Sequence, residues 1–145
     1  SLGHLIKVAR ALGVRLGTFL DDMDQLGPVI TRNGELKKGT SFSNNETSAK
    51  WNLNFFPLAT DKSGRHMEPF IVEISRQSSS VFSQSSHEGE EFIYVLSGSI
   101  EIRYGKSIYF LSQGDSIYYD SVVDHLVSTT DETPAKVLAV VYAPF

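Results

Sequence analysis

The spacing of apolar positions divides the chain into two unlike parts. In the first, Leu2, Leu5, Ile6, Ala9, Leu12 and Leu16 recur at steps of three and four, the period of an amphipathic helix. Gly13 is placed to stop that helix, and Val14-Arg15-Leu16 leads into a short second turn before Phe19 and Leu20. After Gly27-Pro28 the period is lost. Residues 31–50 are polar and carry Asn33-Gly34, Gly39-Thr40 and Asn44-Asn45, which is turn and linker chemistry.

From Trp51 onward the chain reads as strands. Trp51–Pro57 begins with alternation, and Phe70–Ile74 is a short apolar run. Phe92–Leu96 is apolar throughout and predicts a strand buried on both faces. Ile100, Ile102 and Tyr104 alternate with Glu101 and Arg103, as on a half-buried strand. Ile108–Leu111, Ile117–Tyr119, Leu126-Val127 and Val137–Tyr142 follow, with turns at Ser97-Gly98, Gly105-Lys106, Gly114-Asp115 and Glu132–Pro134. Short strands at this spacing predict an all-β sandwich or barrel. Residues 75–86 hold seven serines and read as a solvated loop, with Val81-Phe82 able to pin a short strand within it.

Charge follows the same division. Residues 1–20 carry Lys7, Arg10 and Arg15 with no acid, a net of +3, while the remainder carries −7. The whole chain, 145 residues at −4, has no electrostatic footprint for strong nucleic-acid binding. It contains no cysteine, which excludes disulfides, thiolate metal sites and a cysteine nucleophile, and fits a reducing, cytoplasmic setting. No stretch reaches the roughly 18 apolar residues of a membrane span, and no membrane partner is expected. The first residue is Ser, so the chain is expected to begin inside a longer protein.

Candidate chemistry gathers at His87–Glu91 and at His125. On a straight strand His87 and Glu91 would lie about 13 Å apart, too far to share a metal. They meet only if the chain folds back between them, which Gly89 permits because glycine tolerates positive φ. His125 lies several strands later, so only a closed fold brings it in. Two imidazoles and a carboxylate with open positions suit non-haem Fe(II), Mn, Ni or Zn. His66 and His4 read as loop and exposed helix residues, and Asp115 as a turn residue bonding its own backbone. The tyrosines at 94, 104, 109, 118 and 119 read as core, interface or pocket-lining residues. Alternation puts Glu91, Ile93 and Val95 on one face and Phe92, Tyr94 and Leu96 on the other.

Glu91 is followed by six residues and Gly98, and Gly114 precedes His125 by eleven positions. Residues 51–145 thereby resemble the cupin superfamily, with its paired motifs His-x-His…Glu…Gly and Gly…Pro-x-Gly…His…Asn. The resemblance implies a small jelly-roll β-barrel with His87, Glu91 and His125 as metal ligands and, with Ser85, a ligand-binding set. Ser85 replaces the family's first histidine, which implies reduced occupancy by Zn, Ni or Fe. Asp120, Val122 and Thr129 stand in place of the second motif's Pro, Gly and Asn.

Residues 1–24 are similar to the closing helix of a lambda-repressor-type helix-turn-helix domain, through Leu5-Ile6-Lys7-Val8-Ala9-Arg10-Ala11-Leu12-Gly13-Val14. That order, with residues 25–50 as linker and lead-in strand, is the layout of a class of bacterial transcription regulators. It implies a homodimer and a small-molecule effector. It also implies DNA contact only through a part upstream of residue 1, with no DNA-binding residue in this chain. The expected fold class is all-β, with a short α-helical N-terminal segment. The competing expectation is a metal-dependent enzyme, a small-molecule dioxygenase or isomerase, and the expectation favoured here is a non-enzymatic sensor.

Overall fold

The structure is a computed structural model that describes residues 27–35, 40–43, 50–78, 86–129 and 132–144. The expected N-terminal helix, His4, Ser85 and Val81-Phe82 lie outside the described residues. Among the described residues, a 3-10 turn, Asn33–Glu35, precedes nine strands. These are β1 Thr40–Ser43, β2 Lys50–Pro57, β3 Met67–Ser78, β4 Glu90–Ser97, β5 Ser99–Tyr104, β6 Ser107–Ser112, β7 Ser116–Asp120, β8 His125–Thr129 and β9 Ala135–Tyr142.

The strands form two antiparallel sheets, one of order β1-β2-β3-β9-β4-β7 and one of order β6-β5-β8. Neighbours that are distant in sequence, such as β3 with β9 and β5 with β8, give the interleaved connections of a jelly roll. Period-two alternation aims one row of each sheet at the other. Phe55, Phe70, Val72, Ile74, Ile93, Val95, Val137 and Val141 from the large sheet meet Ile100, Ile102, Leu111 and Leu126 from the small one. Phe70, Ile100 and Ile102 are fully buried, and each such side chain contributes about 1.5–3 kcal/mol through removal from water. Phe55 and Phe70 pack edge to face, with centroids 5.7 Å apart.

Two expectations are corrected. β4 is buried on one face only: Ile93 and Val95 point inward, whereas Tyr94 and Leu96 are 39% and 37% exposed. An apolar run therefore does not by itself require two covered faces, because a sheet face can carry apolar side chains into solvent. The serine-rich stretch does not begin as a loop either. Ser75–Ser78 continue β3, where pairing with β2 supplies the backbone bonds that a free loop would take from water.

Candidate functional site

The strand order places three separated polar side chains at one point inside the barrel. β4 carries Glu91 inward, and β7 lies beside it with Tyr119 directly opposite Glu91. At Asp120 the chain leaves the large sheet and crosses to the small one, where His125 opens β8 opposite Tyr104 of β5. The crossover is tied on both sides. His87 N–H donates to the Ser121 carbonyl at 3.0 Å, and Ser121 N–H donates to the Gly89 carbonyl at 2.9 Å. Across the gap, the Tyr104 hydroxyl donates to the Asp120 carbonyl at 3.0 Å, and Gly105 N–H to the Asp124 carbonyl at 2.8 Å.

The chain folds back between His87 and Glu91, as their pairing requires. Gly89 has φ of 110°, in the region that L side chains avoid. A Cβ there would run into the Tyr142 carbonyl oxygen on β9. Gly98, six residues beyond Glu91, turns β4 into β5 with φ of 79° and lies tight against Ala135. The departures from the second motif are accommodated. The crossover uses no positive φ at Val122, and Thr129 Oγ1 donates to backbone carbonyls of Ser99 or Thr133 at 3.2 and 3.3 Å.

His87, Glu91 and His125 are all buried, and their ligand atoms lie within 4.8 Å of one another. Nε2 of His87 lies 2.7 Å from Glu91 Oε1, and Nε2 of His125 lies 3.3 Å from the same oxygen. The two rings stand edge to face with centroids 5.2 Å apart. Nδ1 of His87 faces the Glu88 carbonyl at 3.1 Å, and Nδ1 of His125 faces the Val123 carbonyl at 2.8 Å. A carbonyl only accepts, so Nδ1 carries the proton in both rings. In the neutral rings both Nε2 lone pairs then point at a carboxylate oxygen. Three electron-rich atoms converge, and the arrangement is stable only with positive charge among them, either a proton on a ring or a bound cation. The backbone-held Nδ1–H groups are the outer support that metal-binding histidines use. The donor set therefore fits a divalent transition cation held by His87, Glu91 and His125.

The electrostatics agree. Burial works to raise the Glu91 pKa, but hydrogen bonds from His125 and His87, the His125 charge and a bond from Tyr119 hold it down at about 2. Burial opposes charge on His125, yet the Glu91 hydrogen bond and charge, helped by the Val123 carbonyl and Asp124, raise its pKa above the usual 6.5.

Sequence reasoning treated Tyr119 only as one of several core or pocket tyrosines. Its hydroxyl donates to Glu91 Oε2 at 2.5 Å, so it is part of the cluster. Burial first, then the charge and hydrogen bond of Glu91, push its pKa well above the ordinary phenol value. The signal was present in principle: position 119 has inward parity on β7, but only the register with β4 pairs it with Glu91. Ser121, fully buried at the crossover, has a hydroxyl with no hydrogen-bond partner among the described residues. His66 is exposed, and Asp115 Oδ2 accepts from Ser112 N–H at 2.9 Å, as a turn residue does. Among the described residues, no helix is long and apolar enough to cross a membrane.

Comparison with known proteins gives the fold a family. No curated protein matches the chain. Among solved structures, Fe(II)-HppE with the alternative substrate (S)-1-HPP is similar at a TM-score of 0.64 and 23% identity, covering 98% of this chain and 75% of that one. Hydroxypropylphosphonic acid epoxidase from S. wedmorenis gives 0.61 and 22%, with 98% and 75% covered. The Cupin_2 domain of an XRE family transcriptional regulator from Enterobacter cloacae gives 0.54 and 14%, with 64% and 98% covered. At these identities the likeness is one of fold. The Cupin domain family model, Cupin_2, matches residues 71–141, the stretch that contains all three converging side chains, and the chain accordingly carries a cupin domain.

Proposed function

We propose that this cupin domain is the effector-binding half of a bacterial helix-turn-helix transcription regulator, and that it holds a divalent transition cation through His87, Glu91 and His125. The observation that carries the binding half is the convergence of both Nε2 atoms on Glu91 Oε1 inside a closed barrel. Two imidazoles and one carboxylate select Fe, Ni or Zn over hard cations. Bound there, such a cation supplies Lewis acidity and open positions for oxygen or nitrogen groups of a small molecule. The protein's own residues do the rest. Glu91 stays ionised, the Nδ1–H bonds hold both rings in register, and burial keeps all three side chains largely out of solvent.

The regulatory half is supported by the similarity of residues 1–24 to the end of a helix-turn-helix domain and by the shared fold of the Enterobacter cloacae regulator domain. In this reading the protein is a cytoplasmic homodimer. DNA contact is made upstream of residue 1, and effector binding favours one arrangement of the two attached DNA-binding units over another. Residues 25–50 serve as linker and lead-in strand, the strand being β1 at the edge of the large sheet. Ser85 takes the sequence position of the family's first histidine.

The test uses the full-length protein and DNA from its own promoter region. Elemental analysis is expected to find a transition metal, and chelation or His125→Ala is expected to change DNA affinity at least fivefold. Metal-independent DNA binding would overturn the sensor reading. An enzyme reading has one specific support, the Fe(II)-loaded HppE among the structures of the same fold. Fe(II)-dependent oxygen consumption that is lost on His87→Ala, with DNA affinity unchanged, would replace the first reading with the second.

A further inference from the structure

We propose that Tyr119 positions Glu91 as a one-oxygen ligand and thereby sets which cations the cluster accepts. This inference rests on the metal-binding reading above. Glu91 has two oxygens with separate partners: Oε1 faces both imidazoles, and Oε2 accepts from the Tyr119 hydroxyl at 2.5 Å. A cation drawn to the two Nε2 atoms thus meets one carboxylate oxygen, not two.

The phenol is held in that role by its surroundings. Tyr119 is directly opposite Glu91 in the β4–β7 register, so the backbone ladder fixes the distance between the two side chains. Its ring is 5% exposed and lies between Tyr104 and His125, with centroids 5.3 and 5.0 Å away. Swinging the hydroxyl off Oε2 would leave a buried donor without a partner, which is unfavourable because its lost hydrogen bond to water is not replaced. A cation that wants both carboxylate oxygens must impose that cost. Calcium, with six to eight oxygen ligands, favours such bidentate binding, whereas Fe(II), Co(II), Ni(II) and Zn(II) are satisfied by two imidazoles and a single oxygen. Tyr119 therefore acts through Glu91 and not on the cation itself.

Cobalt(II) is the probe, because its visible absorption reports coordination number and ligand geometry independently of any activity. The whole 145-residue chain is titrated with Co(II), alone and against Ca(II). Tyr119→Phe keeps the ring and removes the donor. It is expected to weaken Co(II) binding about tenfold, within the range for outer partners of metal ligands. It is also expected to displace the absorption band and to let Ca(II) compete better. Tyr118→Phe removes the neighbouring hydroxyl on the exposed face of β7, beside Glu90 and not Glu91, and is expected to leave the band in place. Site-specific 3-fluorotyrosine at position 119 preserves the fold and strengthens the donor; it too is expected to move the band, and it decides the matter if Tyr119→Phe does not fold. An unmoved band and unchanged affinity in the position-119 variants would overturn the inference alone. A wild-type chain that gives no cobalt band would overturn the metal reading, and this inference with it.

Discussion

β4 and β7 present the same chemical pair on opposite faces. Inside, Glu91 meets Tyr119; outside, one residue away on each strand, Glu90 meets Tyr118. Both bring a carboxylate beside a phenol, and the inner pair is joined by a hydrogen bond of 2.5 Å. Tyr118 is 62% exposed, and its pKa is raised first through Glu90. Tyr119 is 5% exposed, and its larger rise comes first from burial. The inner carboxylate also faces two imidazoles. Identical groups become a tuned cluster or a solvated surface pair according to the parity of one residue. Water screens the outer pair, while the dry interior leaves the inner charges strongly coupled.

The largest expected effect comes from removing the turn that creates the difference. Gly89→Ala puts a Cβ against the Tyr142 carbonyl at a positive φ, so His87 cannot stay beside Glu91. Destabilisation above about 3 kcal/mol in chemical denaturation, with loss of metal binding, is expected. A variant that melts and binds metal like the wild type would show that the fold-back is not what assembles the cluster.

Next comes the direct contrast of carboxylates. Glu91→Gln is expected to weaken Co(II) or Zn(II) binding more than about 100-fold by calorimetry, because it removes a ligand and not merely its support. Glu90→Gln is expected to change it less than about twofold, as an outward residue should. Equal effects would abolish the distinction between the faces.

The pH dependence of the metal-free domain sharpens the same contrast. Glu91 is held at about 2, so the stability it contributes is present above the ordinary carboxylate range and is lost as pH falls toward 2. His125 is raised above 6.5, so its contribution is complete below that value and is lost as pH rises through its elevated pKa. Thermal melts in chelator should therefore peak at about pH 5–6 and decline on both sides. Glu91→Gln should flatten that profile and Glu90→Gln should leave its shape alone. The smallest effect belongs to Tyr118→Phe, expected to shift the melting temperature by no more than about 1–2 °C.

Much of this was legible in the residue order. The strands from Trp51 onward, the shared face of Glu91, Ile93 and Val95, and the turns at Gly98, Gly105 and Gly114 follow from alternation and glycine placement. The need for a fold-back at Gly89 follows from strand rise alone. The outer face of β4 was misread, because Phe92–Leu96 has no polar residue to mark its exposed side. Tyr119 was not separable from the other tyrosines, since its role depends on the register between β4 and β7.

The sequence by itself determined local geometry: where the backbone extends, where it turns, and which residues share a face. Those are properties of neighbours in the chain, set by sterics and by period-two alternation. Only the tertiary structure decided that His125, thirty-four positions after Glu91, shares an oxygen with His87, and that Tyr119 occupies the other. The physical reason is that sheet order and the β7–β8 crossover bring these groups together. Burial in the closed barrel then turns ordinary side chains into a coupled set.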